Sequence, residues 1–129
     1  MANHQAWAEL FKDYNYEIVL LADRGFRDID LFKTIESYGF KFAIRVVGNT
    51  NVEISNRKNI KKLEDINIKP GEKKDFKNVK LTEQKFICNI GVYQHEEDDD
   101  IWYIVTNMSP RRGIQGYCKR FDIEEMFKD

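Results

Sequence analysis

Glu17-Ile18-Val19-Leu20-Leu21-Ala22-Asp23-Arg24-Gly25-Phe26 decides how this chain is read. After its first residue the run 17–22 is apolar, and it is too short for a long helix. It suits a strand covered on both faces, as the strands of a parallel sheet are. Arg24-Gly25-Phe26 breaks the run. An amphipathic helix is expected next, over residues 29–38, with Ile29, Phe32 and Ile35 as its apolar stripe. Asp28 or Asp30 caps its start and Gly39 stops it. Phe40-Lys41-Phe42-Ala43-Ile44-Arg45-Val46 alternates, so it is a second strand. Strand, helix and strand in this order make a βαβ unit, whose two strands run parallel.

Outward from that unit the pattern changes twice. Upstream, residues 4–14 read as a short helix, with Ala6, Trp7, Leu10, Phe11 and Tyr14 at helical spacing. Downstream, a stretch rich in Asn and Lys runs from Gly48-Asn49 to Pro70-Gly71, and residues 59–66 within it fit either a short helix or a short strand. Residues 76–81, 85–94 and 101–107 then read as antiparallel strands. The acidic turn 95–100 joins the last two as a hairpin. Ser109-Pro110 opens a final helix, with Ser109 as its cap and Pro110 at its first position. Gly113 and Gly116 weaken its first turns. The expected fold class is therefore α/β: a βαβ unit and a C-terminal helix, with a β-rich antiparallel insertion at 48–107, all in one domain over residues 1–129.

Composition narrows the classes. Of the 129 residues, 42% are hydrophobic and 13% aromatic, enough for a real core, and no stretch is long and apolar enough to cross a membrane. The N-terminus has no basic region followed by an apolar run, so a cytoplasmic protein is expected. Cys88 and Cys118 lack paired spacing and read as reduced thiols; with only His4 and His95 to join them, a zinc site is not expected. A net charge of −1 argues against a free-standing nucleic-acid binder. Yet residues 41–80 carry 11 basic and 5 acidic groups. That segment is either a track for a phosphate backbone or a solvated lysine-rich loop. The five successive acids at 96–100 read as a solvated hairpin tip rather than a metal site.

Two places carry candidate chemistry. Asp23 sits just past the carboxyl end of a buried strand, where open α/β sheets place their ligand sites. A carboxylate there is costly unless hydrated, paired or metal-bound. The plainer alternatives are a cap on the following turn or a pair with Arg24. In Tyr117-Cys118-Lys119-Arg120-Phe121-Asp122-Ile123-Glu124-Glu125, helical geometry puts Tyr117, Arg120 and Glu124 on one face over two turns. Here the plainer alternative is a surface i,i+4 pair.

Together these segments resemble a large group of bacterial insertion-sequence DDE transposases. Tyr117, Arg120 and Glu124 match the spacing of that group's motif Tyr-x(2)-Arg-x(3)-Glu-x(6)-Lys, whose lysine would fall beyond Asp129. Ala22-Asp23-Arg24-Gly25-Phe26 resembles the group's second acidic motif, at the end of its fourth strand. Phe42-Ala43-Ile44-Arg45-Val46 is similar to its next strand, and residues 48–107 to its β-rich insertion. The resemblance implies a partial RNase H-like fold and two divalent metals, Mg2+ or Mn2+, held by carboxylates for in-line phosphoryl transfer on DNA. It implies Asp23 and Glu124 as catalytic metal ligands, and Tyr117 and Arg120 as contacts to phosphates of the transposon end. Arg45 and Trp102 are further DNA-contact candidates; Trp102 either stacks on a base or fills the core of its strand, the second being the ordinary role.

The group's first catalytic Asp lies on a strand for which the residues before 17 leave no room. The resemblance therefore implies a partial catalytic domain that neither cleaves nor joins DNA by itself. A bare edge on the parallel pair implies a homo-oligomer or a rearrangement of the insertion strands. Two other classes remain open: a non-catalytic DNA-binding remnant working through residues 41–80, and an interaction domain with no DNA role.

Overall fold

The computed structural model describes residues 19–22, 29–96 and 100–126, the side chains of residues 22 and 119–126 excepted. The helix expected at 4–14 lies outside the described residues. β1 (Val19–Ala22) and β2 (Lys41–Val46) pair in parallel, with Val19 opposite Lys41 and Ala22 opposite Ile44. Between them in sequence runs α1 (Ile29–Ser37), which buries Ile29, Phe32 and Ile35. Phe32 stacks on Phe42 of β2 with ring centroids 5.3 Å apart. Gly39 ends the helix at φ 76°, a left-handed conformation that costs glycine nothing, and its N–H closes on the Glu36 carbonyl at 2.9 Å. Asp30 lies inside the first turn rather than ahead of it, where its charge still complements the helix dipole. Asp28, the other expected cap, is outside the described residues.

The rest of the chain adds β3 (Val52–Glu53), a 3-10 turn (Leu63–Asp65), β4 (Lys73–Leu81), β5 (Phe86–Gln94), β6 (Ile101–Thr106) and α2 (Pro110–Met126). The described strands form one six-stranded sheet in the order β1-β2-β6-β5-β4-β3. The segment 48–107 is thus no separate layer. Its last strand, β6, runs antiparallel along the free side of β2, from Ala43 opposite Thr106 to Val46 opposite Tyr103.

Polar side chains close that seam. Asn107 Oδ1 accepts the Phe42 N–H at 2.9 Å, and Nδ2 donates to the Phe40 carbonyl at 3.0 Å, so the amide extends the ladder one residue beyond β6. The buried Thr106 hydroxyl donates to the Phe42 carbonyl at 2.6 Å and accepts the Met108 N–H at 3.0 Å. Asn89 does similar work on β5. Its Nδ2 donates to the Met108 carbonyl at 2.7 Å, and its Oδ1 accepts the N–H of Asn78, the positive-φ residue where the β4 register shifts.

Within residues 59–66, which fitted helix or strand equally well, the structure forms the 3-10 turn and, just before it, an isolated antiparallel bridge from Lys62 to Asn51. Asp65 decides it: one carboxylate oxygen accepts the N–H groups of Lys61 and Lys62 at 3.1 and 2.9 Å. Those two bonds hold the Asp65 carboxyl below its ordinary pKa.

Each face of the sheet carries a core. On the α1 face Phe32, Phe42, Ile44, Leu81, Ile90 and Val92 pack together, and on the α2 face Ala43, Ile104, Met108, Ile114 and Tyr117 do. Cys88 belongs to the α1-face core. Burial, with Glu36 adding, pushes its thiol up to about 12, and both cysteines are free thiols as expected. No helix among the described residues is long and apolar enough to cross a membrane.

Candidate active site at the carboxyl ends of β1 and β2

The site depends on how α2 lies across the sheet. Ser109 caps it: its carbonyl accepts the Gly113 N–H at 3.0 Å and its hydroxyl lies 3.4 Å from the Arg112 N–H. Two glycines then bring the helix close. A Cβ on Gly91 of β5 would stand 2.7 Å from the Ile114 side chain and 2.9 Å from the Pro110 carbonyl oxygen. A Cβ on Gly113 would stand 2.8 Å from Thr106. Gly113, expected only to weaken the helix, is also what lets it seat on β6.

Two contacts fix the direction of α2. Gly113 lies over Thr106, and one turn later Tyr117 meets Trp102. The helix advances four residues while β6 steps back four, so α2 is antiparallel to β6. It therefore runs in the same sense as β1 and β2, with Gly116 passing beside Leu21 of β1. Beyond Tyr117, α2 heads for the end of the sheet where β1 and β2 finish. Glu124 follows Tyr117 by seven residues, about 10.5 Å further along the helix axis. Asp23 is the residue after Ala22, the last of β1. Asp23 itself, and the side chains of Arg120 and Glu124, lie outside the described residues.

The remaining candidates meet in one cluster. Arg45, on the α2 face of β2, is 13% exposed. Its guanidinium carbon stands 5.6 Å from the centroid of the Trp102 ring, and Nη2 pairs at 3.6 Å with the Asp100 carboxylate, itself 59% exposed. Trp102 is half-buried on the same face. Tyr117 meets it edge to face with centroids 5.1 Å apart, and Tyr93 does so at 5.8 Å. Tyr117 is 1% exposed, so in this structure its ring is a packing element beneath Trp102 rather than a surface group.

Sequence reasoning named Arg45, Trp102 and Tyr117 separately and missed Tyr93 and the Asp100 pair. The signal for Tyr93 was available. A hairpin turning through 95–100 sets Tyr93 opposite Trp102, as it is.

What the site offers a metal is a matter of donor chemistry. Asp23 and Glu124 are carboxylates, hard oxygen donors that suit Mg2+ or Mn2+ and not a thiolate-seeking ion. Among the described residues no group of three or more His, Cys, Asp or Glu stands together to hold a metal ion.

No curated protein matches the chain. A family model described as "Transposase DDE domain" matches residues 2–129, a span that takes in Asp23, Arg45, Trp102, Tyr117, Arg120 and Glu124. With nearly its whole length matched, the chain belongs to the insertion-sequence DDE transposase family.

Proposed function

We propose that this chain contributes two carboxylates, Asp23 and Glu124, to a divalent-metal site for DNA cleavage and strand transfer at transposon ends. The observation that carries the reading is the direction of α2, which runs with β1 toward the end at which β1 finishes. That direction supports a site shared by an acid one residue past β1 in sequence and an acid seven residues past Tyr117, as in the partial RNase H-like fold we propose. Val19 and Leu21 of β1 pack on the α2 face of the sheet.

Divalent ions held by these carboxylates would supply Lewis acidity, activating a hydroxyl for attack and stabilising the leaving oxygen. The chain's own residues do the rest. Asp23 and Glu124 would hold the ions. Arg120 engages a backbone phosphate, for which its planar fork is suited. Arg45, freed from Asp100 by an incoming phosphate, gives a second phosphate contact beside Trp102. Tyr117 holds Trp102 from below, so the indole presents a fixed ring to the DNA. Residues 1–129 provide two of the three carboxylates of the set, and by themselves they leave a transposon-end duplex uncut.

Mn2+ binding followed by electron paramagnetic resonance tests this. The chain is expected to bind Mn2+, and Asp23→Asn and Glu124→Gln are each expected to weaken binding at least tenfold while leaving the fold intact. Equal Mn2+ affinity in both variants and the parent would overturn the assignment. Magnesium-dependent nicking of a transposon-end duplex by these residues, abolished by Asp23→Ala, would show that two carboxylates suffice.

A further inference from the structure

Lys73, Tyr93 and Trp102 stand opposite one another across three neighbouring strands. Lys73 of β4 is the register partner of Tyr93 of β5, and Tyr93 is that of Trp102 of β6. The Lys73 ammonium lies 5.3 Å over the centroid of the Tyr93 ring. Tyr93 and Trp102 meet edge to face, and the Arg45 guanidinium lies over Trp102 from β2. The result is a row across the sheet: cation, ring, ring, cation. It starts at the exposed Lys73, passes the half-buried Tyr93 and Trp102, and ends at the nearly covered Arg45. Both cations come from the basic segment 41–80.

Lys73 differs from its neighbours in how its charge is met. Lys80 pairs with Glu53 and Arg111 with Asp75, but among the described residues no carboxylate pairs with Lys73. Its ammonium rests on an aromatic face instead. A polymer that alternates flat π-faces with single negative charges complements such a row, and a single DNA strand is that polymer. A base of any identity can stack on a ring in place of the cation that lies over it, and the displaced ammonium or guanidinium then takes the adjoining phosphate.

We infer that Lys73 and Tyr93 form a second stacking and phosphate position, next to Trp102 and Arg45, for a single strand of DNA. The inference rests on the DNA reading above and extends it by two strands of the sheet, β5 and β4. Trp102 and Arg45 take one nucleotide, and Tyr93 and Lys73 take its neighbour on the side away from β1.

Fluorescence anisotropy with a fluorescein-labelled single strand of about ten nucleotides, and with the matching duplex, tests the assignment. Tyr93→Leu is expected to weaken single-strand binding about tenfold, as loss of one stacked base does, while Tyr93→Phe keeps it. Lys73→Met keeps the aliphatic stem and is expected to reduce the salt dependence by about one phosphate contact. Thermal unfolding reports whether each variant is folded; Lys73 is exposed, so its variant serves even if Tyr93→Leu is not. Loss of affinity in Trp102→Leu with none in Tyr93→Leu or Lys73→Met would refute the second position and leave the DNA reading standing. No binding by the parent chain would refute both. Equal losses on duplex and single strand, or competition by polyglutamate as strong as by DNA, would refute the single-strand occupant.

Discussion

Tyr117 of α2 and Trp102 of β6 meet edge to face, with ring centroids 5.1 Å apart and planes at 77°. With Gly113 seated over Thr106 one turn earlier, this contact sets the direction in which α2 crosses the sheet. It also joins the helix that carries Glu124 to the strand that carries the aromatic candidate. Tyr117→Ala is therefore expected to lower stability by about 3–5 kcal/mol, the range for emptying a buried aromatic site. Tyr117→Phe, which keeps the ring, loses far less. Urea denaturation checks both, and a Tyr117→Ala midpoint close to the parent's would contradict the packing role.

Gly91 gives a second test of the same docking. An alanine there places its Cβ 2.7 Å from Ile114 and 2.9 Å from the Pro110 carbonyl oxygen. Ile114 can move and the carbonyl cannot without shifting the first turn of α2. Gly91→Ala is expected to cost about 1–3 kcal/mol, the usual range for overpacking. Adding Ile114→Val should recover only part of it, because the backbone contact remains. Full recovery in the double variant would mean that Ile114 alone sets the limit.

The seam between the βαβ unit and the antiparallel strands hangs on Asn107. Asn107→Ala leaves the Phe42 N–H without its partner at a part-buried site, for an expected loss of about 1–3 kcal/mol. Asn107→Asp keeps the acceptor but sets a carboxylate against the Phe40 carbonyl, and is expected to be no better than alanine. Hydrogen exchange at Phe42 should report the break directly. Unchanged protection at Phe42 in Asn107→Ala would show that the amide is dispensable.

Much of this architecture was legible in the chain. The βαβ unit shows because Ile29, Phe32 and Ile35 recur at helical spacing between two apolar runs, and the β5–β6 hairpin because charge and turn residues concentrate at 95–100. What no local pattern carries is which strand lies beside β2. Its alternation exposes nothing of its partner, and the choice of β6 rests on long-range bonds from Thr106 and Asn107 to Phe42 and Phe40. The candidate residues divide in the same way. Arg45, Trp102 and Tyr117 were nameable one by one from motif and type. Their mutual contact depends on the tertiary route of α2, and so on Gly91, a residue that draws no notice in the sequence.

Alkaline conditions should destabilise the fold through Cys88. Its thiol pKa is raised from 9.0 to about 12 by burial and by Glu36, so the folded state keeps a proton that the unfolded state gives up. That contribution is fully present below 9.0 and is lost as pH rises toward 12, at up to about 1.4 kcal/mol per pH unit. Urea midpoints at about pH 8 and about pH 10.5 should differ more for the parent than for Cys88→Val. An identical pH dependence in the two proteins would remove Cys88 from the account. Maleimide labelling of the native protein should mark Cys118 ahead of Cys88, since the thiolate is the reactive form.

A crystal structure with Mn2+ and a transposon-end oligonucleotide measures directly whether Asp23 and Glu124 converge. One carboxylate oxygen of each residue is expected within about 2.5 Å of an ion in a shared site, given that two-metal sites place their ions about 3.5–4 Å apart. Carboxylates more than about 10 Å apart, with α2 still seated on Trp102 and Leu21, are too distant to share or bridge such a pair and would contradict the account.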